Sequence, residues 1–268
     1  MTAIDLLGGI SAKLPKLTQG QLFWLSKVID NYANPYESRL LATTLFNEAM
    51  LQDFGDALRT HHSFSQEPCT KDKFEYILEQ TLKINGTRAE LAKKGNPGHD
   101  ITIEGIAVSL KSQADKGIKR DRIWISKFHE LGKGEWTDKP KQLEGLRAQF
   151  LAHLTHYERI FTLRCVERAP NWEYQLVEIP KAILALASTG TLEMRTASTQ
   201  YPKPGYCHVN SGGNRLFSLY FDGGTERKLQ LKDLLVSKCI LHAEWRFYSP
   251  KLTPEGEPEP DPFDAPPK

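Results

Sequence analysis

The sequence predicts an α/β (α+β) fold, a mixed central sheet flanked by helices, and three features of its hydrophobic patterning carry that expectation. The first third repeats apolar residues at helical spacing. The middle third carries short apolar runs of strand period around one long helical stretch, and the last third alternates strands with glycine turns. With 268 residues, 40% of them hydrophobic, the chain can bury a core, and a net charge of +2 excludes a histone-like polycation.

In chain order, Leu22, Leu25 and Ile29 recur at helix spacing behind a capping Thr18, and that stretch stops at Asn34-Pro35. A second helical stretch is expected through YESRLLATTLFNEAMLQDFGDALRT. A third follows Thr70, with Phe74, Ile77, Leu78 and Leu82 on one face. Residues 1–94 are thus expected as an N-terminal helical layer covering a sheet. Residues 95–190 are expected as an α/β core: the runs ITI, IAVSL, RIWIS, RIFTLRCV and YQLVEI read as strands, with a helix in KQLEGLRAQFLAHLTHYE and another starting at Pro180. Residues 191–248, with turns at SGGN and DGG, read as an antiparallel β extension. Residues 249–268 hold seven prolines, five carboxylates and two lysines but one aromatic and one leucine, too little apolar surface to offset ordering, so a disordered tail is expected.

Cys69, Cys165, Cys207 and Cys239 are too widely spaced for a zinc or redox pair and read as reduced thiols. No basic leader and no 18-residue apolar window is visible, so a soluble intracellular protein is expected.

The most informative stretch is NPGHDITIEGIAVSLKSQ, residues 96–113, where two apolar-alternating strands meet at Glu104-Gly105, a turn of the hairpin-favouring kind. Counting outward sets Ile103 opposite Ile106, Thr102 opposite Ala107, Ile101 opposite Val108 and Asp100 opposite Ser109. Ile101, Ile103, Ile106, Val108 and Leu110 then face the core, while Asp100, Thr102, Ser109, Lys111 and Gln113 share the other face. Opposite Cβ atoms lie about 5 Å apart and diagonal ones roughly 7 Å, so Asp100 and Lys111 can meet at one small ligand. That pairing suits metal-assisted phosphodiester cleavage: a hard oxygen ligand for Mg²⁺, and a lysine to orient or deprotonate a water. Spacing alone leaves a surface salt bridge as the alternative.

The pattern Asp100-x8-Ser109-x-Lys111 resembles the PD-(D/E)XK nuclease motif, with Gly98-His99-Asp100 in the first part and Ser109-Leu110-Lys111 in the second. It departs at Ser109, which supplies no second carboxylate. The resemblance implies a PD-(D/E)XK-type central sheet, a metal held by Asp100 and the backbone carbonyl of Leu110, and a glutamate from the preceding helix, Glu75, with Glu79 as fallback. The segments LRTHHSF, NPGHDITI, ELGKGEW, HYERIFTLR, YQLVEIPK, PKPGY and FSLYFDGGTERKLQ, taken in order, resemble the SmaI family of type II restriction endonucleases from about residue 18 to 248. The family likeness implies a bacterial cytoplasmic, Mg²⁺-dependent homodimer that cuts double-stranded DNA centrally at CCCGGG, within a restriction-modification system. A related nuclease with another recognition sequence, or an inactive DNA-binding protein that kept the fold, are the rival readings.

A G/C palindrome is read by cations donating to guanine and carboxylates accepting from cytosine N4. FDGGTERKLQ offers Asp222, Glu226, Arg227 and Lys228 in a glycine turn. The segment TQYPKPGYCHVNSGGNR adds Lys203, Tyr206, Asn214 and Arg215. Lys119, Arg120 and Arg122 in the basic stretch after the lysine strand are expected at phosphates, which position without carrying sequence information. Lys133 and Trp136 either lie beside the scissile strand or cap the next strand. His61, His62 and His99 are expected to be structural.

Overall fold

The computed structural model describes residues 2–41, 45–93, 95–96, 98–132 and 136–249. The chain runs α1 (Ala3–Ser11), α2 (Gln19–Ala33), β1 (Tyr36–Leu40), α3 (Glu48–His62), α4 (Lys71–Ile84), β2 (Ala89–Leu91), β3 (Ile101–Ile103), β4 (Ile106–Gln113) and β5 (Arg122–Glu130). It continues with α5 (Gln142–His153), β6 (Arg159–Glu167), β7 (Asn171–Glu178), α6 (Lys181–Ala185), β8 (Thr191–Met194), β9 (Gly205–Ser211), β10 (Asn214–Phe221), β11 (Lys228–Leu235) and β12 (Ile240–Tyr248). The fold is the mixed α and β architecture that the patterning predicts.

Two sheets form, ordered β1-β12-β7-β6-β4-β3-β2 and β5-β11-β10-β9-β8. In the first, β4 and β6 run parallel and every other pair is antiparallel. The sheets cross the expected spans: β5 joins the second sheet although it precedes residue 190, and β12 returns from the last third to the first. The proline-rich tail lies outside the described residues, apart from Ser249.

The central strands of the first sheet, β4, β6, β7 and β12, are buried on both faces over most of their length. On one side α3 and α4 insert Phe54, Leu58, Phe74, Leu78 and Leu82 against Ile101, Val108 and Leu110. On the other, α5 and the second sheet close over Ile160 and Val177. The alternation of a strand is visible in β6, where Ile160 belongs to one layer and Phe161 to the other.

Three expectations need correction. Residues 36–40 form a strand, not the start of a helix: YESRL alternates in burial, and the open edge of β12 supplies five register partners, Tyr36 to Phe247 through Leu40 to Ala243, which outweigh local helical propensity. The apolar stripe of α2 does not face the sheet. Thr18 caps that helix as expected, with Gln21 completing a capping box, but Leu22 and Ile29 remain exposed and Asn31 is its single buried residue. Ile106, expected in the core, is 42% exposed, because at the hairpin tip the sheet has no layer above it.

Among the described residues no helix is long and apolar enough to cross a membrane. All four cysteines are free thiols.

Candidate active site and DNA interface

The β3–β4 hairpin has the register obtained by counting: Ile101 with Val108, Thr102 with Ala107, Ile103 with Ile106. Glu104 and Gly105 adopt φ values of 49° and 82°. Two successive left-handed residues make the twist that a two-residue hairpin needs. Asp100 extends the ladder one step further, its N–H donating to the carbonyl of Val108 at 3.0 Å.

That register brings the acid and the amine together. Asp100 Oδ2 accepts from the Leu110 N–H at 2.6 Å and from Ser109 Oγ at 3.1 Å. Lys111 Nζ donates to Ser109 Oγ at 2.8 Å and lies 3.8 Å from Asp100 Oδ2. Ser109 therefore ties the pair, so the position without a carboxylate has a structural use. Lys111 is 6% exposed, with its ammonium 5.5 Å from the Phe128 ring, which rules out the surface salt bridge. Burial pulls the Lys111 ammonium down to about 8, only partly opposed by Asp100. Burial works against the charge of Asp100 as well, but the ammonium groups of Lys111 and Lys71 outweigh it and hold the carboxyl below its usual range.

Lys71 escaped the sequence reading. It opens α4 and donates 2.7 Å to Asp100 Oδ1, while standing 3.2 Å from Glu75 Oε1. The signal was present as Lys71-x3-Glu75, the i,i+4 spacing that stacks two side chains on one helix face. Glu75 thus joins Asp100, and burial raises its pKa despite Lys71. Glu79 does not join them: its carboxylate accepts from Lys83 at 2.8 Å and from the Leu91 N–H at 3.1 Å, fastening α4 to β2.

These groups open on a cleft of about 860 Å³ whose walls include Lys71, Asp100, Lys111, His129, His153 and His156. Burial lowers His129 to about 3 and His153 to about 4, so both are neutral at physiological pH and their rings stack at 4.6 Å. The sequence reading missed this wall, because β5 and α5 carry it and only tertiary packing brings them beside Lys111.

Asp100 and Glu75 converge on one point, the Lys71 nitrogen, and Leu110 turns its N–H toward Asp100; in an extended strand the carbonyl of the same residue points the same way. Two carboxylates and a carbonyl are a hard oxygen set that fits a divalent cation such as Mg²⁺. Among the described residues no cluster of three or more His, Cys, Asp or Glu side chains forms an alternative.

A second recess, of about 830 Å³, adjoins the cleft through Glu130 and is lined further by Gln200, Tyr201, Glu226 and Arg227. Its two loops touch because Gly223 has no side chain: a Cβ there would stand 1.9 Å from the Pro202 carbonyl oxygen. Arg227 takes a left-handed φ of 43° and its carbonyl accepts from the Leu131 N–H at 2.7 Å. Glu226 pairs with Lys228 at 3.2 Å. Asp222 instead builds the turn, accepting from the Gly224 N–H at 3.0 Å and from Gln230 at 2.9 Å.

The other candidates scatter. The Lys203 ammonium is held by the Ser198 carbonyl, and its own carbonyl accepts from the buried Trp136 indole at 3.0 Å, so Trp136 is structural. Tyr206 and Arg215 line a separate shallow recess with Trp124 and Lys232. Arg215 donates to Asn210 and Ser218, and Asn214 stays exposed at the start of β10. Lys119, Arg120 and Arg122 are pinned from beneath by the buried guanidinium of Arg164, which donates to all three carbonyls. The Arg120 side chain pairs with Glu173 and Glu167, beside a recess distinct from the cleft. Lys133 lies outside the described residues. His62 stacks on Trp172 at 3.7 Å and bonds Tyr174, His61 bonds the Glu67 carbonyl and His99 bonds Thr102, so all three serve the fold as expected.

Two packed sheets, with an acid and a buried lysine on one hairpin beside a cleft and a loop-lined recess, fit the class of DNA-cleaving hydrolases. The sequence agrees: residues 10–247 match the family described as SmaI, type II site-specific deoxyribonuclease, and the chain belongs to it. It is also 48% identical over 209 residues, 77% of this chain and 83% of the relative, to the type II restriction enzyme SmaI of Serratia marcescens. No solved structure matches the chain. Sequence-specific cleavage of double-stranded DNA is therefore the activity of this protein, and enzymes of this class generally use a divalent metal.

Proposed function

We propose that the protein recognises CCCGGG and cuts it centrally to blunt ends, as a Mg²⁺-dependent homodimer of the bacterial cytoplasm. The convergence of Asp100 and Lys111 at the cleft that adjoins the Gly223–Arg227 turn is the observation that carries the reading.

Asp100, Glu75 and the Leu110 carbonyl would hold the cation. Bound there, it would neutralise the scissile phosphate and acidify a water. Lys111 acts through its lowered pKa: the fraction that is neutral near pH 7 to 8 can take a proton from the water that attacks phosphorus, while the bond to the 3′ oxygen breaks. Ser109 fixes the direction of the Lys111 ammonium, and neutral His129 and His153 add no competing charge. Arg227 is the best-placed donor to guanine, with Glu226 and Lys228 beside it; Asp222 supports them from within the turn. Lys119, Arg120 and Arg122 remain proposed phosphate contacts at the margin.

A second copy suits a two-fold site. The exposed apolar residues Ile4, Leu7, Ile10, Phe23, Trp24 and Ile29 of α1 and α2 are the surface such a copy would cover. Charge introduced there, as Phe23→Glu with Leu7→Asp, should yield a monomer in sedimentation velocity; an unchanged dimer would place the interface elsewhere.

Digestion of a genome with and without chelator, followed by sequencing of the cut ends, tests the whole reading. Blunt ends between CCC and GGG are expected only without chelator. Ends at another sequence would replace the site while leaving the class, and no cleavage would leave the inactive DNA-binding protein.

A further inference from the structure

Two lysines stand against Asp100 where the nuclease reaction requires one, and the reading above gives work only to Lys111. Lys71 occupies the point on which the candidate metal ligands converge, 2.7 Å from Asp100 Oδ1 and 3.2 Å from Glu75 Oε1. With Lys111 it balances the two carboxylates, so the site is neutral as it stands. A divalent ion taken by both carboxylates would stand within contact distance of the Lys71 ammonium, and like charges so close in a half-buried site repel strongly. The lysine has a way out. Its side chain is 38% exposed, against 8% for Lys111, and it lines the open cleft through which a phosphate must enter.

We propose that Lys71 is a positioning residue that gates the metal site: it occupies Asp100 and Glu75, opposes the cation while DNA is absent, and releases both carboxylates by transferring to the scissile phosphate. Lysine suits this as a flexible point charge that can exchange one oxyanion for another. The consequence is that cation and DNA bind cooperatively, which by linkage must be reciprocal. Free enzyme would then carry little metal and leave non-target DNA uncut. The inference rests on the assignment of Asp100 and Glu75 as metal ligands.

Isothermal titration of the full chain with Ca²⁺ and with Mg²⁺, without DNA, tests it in wild type, Lys71→Gln, Lys71→Arg and Asp100→Asn. Lys71→Gln should bind the cation at least about tenfold tighter than wild type, a gain that damage to the fold would not produce. Lys71→Arg, which keeps the charge, should stay at the wild-type level. A second measurement needs no variant: Ca²⁺ affinity of the wild type should rise by at least about tenfold when a CCCGGG duplex is present. Unchanged affinity in Lys71→Gln, or no tightening on the duplex, overturns the gate, provided that Asp100→Asn abolishes binding. If Asp100→Asn binds the cation as well as wild type, the ligand assignment itself has failed, and the gate with it.

Discussion

The catalytic hairpin and the reading turn meet at Glu130 but are held in opposite ways. Both carboxylate oxygens of Asp100 have partners in the fold: a backbone N–H, a serine hydroxyl and two ammonium groups converge on that one carboxylate, and Lys111 is buried. Around Arg227 the backbone is fixed, through its left-handed φ and the bond from Leu131, while Thr225 and Glu226 are exposed. Chemistry needs reacting groups preset to fractions of an ångström, whereas groove reading needs side chains free to find a base edge. Substitutions in the first region should therefore act on rate and those in the second on discrimination.

The largest effect should come from Lys111→Ala. Loss of the lysine should slow plasmid cleavage by about a thousandfold or more, with specific binding to a CCCGGG duplex retained in a gel-shift assay with Ca²⁺. Equal losses of binding and cleavage would erase the contrast between the regions.

Acidification should come next, since the histidines with the lowest pKa values, His62, His129 and His153, lie in the first sheet's layers and the cleft wall. Burial sets them at about 3, 3 and 4, below the 6.5 of a free imidazole. The unfolded chain therefore takes up protons first. Their contribution to stability is complete above pH 6.5 and is lost as the pH falls through that value toward 4, by a combined amount on the order of a few kcal/mol. Thermal melts from pH 7 to pH 4 measure it, and a melting temperature independent of pH over that range would refute it.

Arg227→Ala should cost about 1–3 kcal/mol of specific binding and relax the choice at one guanine, with the rate on the bound site little changed. A cycle of binding assays on duplexes carrying single G/C replacements reads this out. Arg215→Ala marks the small end: its side chain is occupied by Asn210 and Ser218 on the outer sheet face, and its loss should change discrimination by less than about 0.5 kcal/mol. A larger change would move the reading surface outward toward Tyr206.

What could be read from the sequence follows the same division. Hairpin register is a counting problem once the Glu104-Gly105 turn is found, so Asp100, Ser109 and Lys111 were legible together. The i,i+4 relation of Lys71 to Glu75 was written in the chain too, but its meaning depends on where α4 docks, and that is set by Phe74, Leu78 and Leu82 meeting the sheet. The cleft wall of β5 and α5 was not legible at all, since nothing local says that β5 leaves its neighbours to join β11. β1 was misread because its pairing partner, β12, lies more than 200 residues away. In the reading loops the residue types were visible, yet only the close approach of Gly223 to Pro202 assembles them into a recess.

The claim on which the rest depends is that Asp100 and Glu75 hold a cation beside Lys111. A crystal of the enzyme with a CCCGGG duplex and Mn²⁺, examined by anomalous scattering, tests it most directly. A peak within coordination distance of Asp100, Glu75 and the Leu110 carbonyl, with the scissile phosphate against it, is the predicted result. A peak at other carboxylates, such as Glu79 or Glu178, with the phosphate remote from Lys111, would contradict the account.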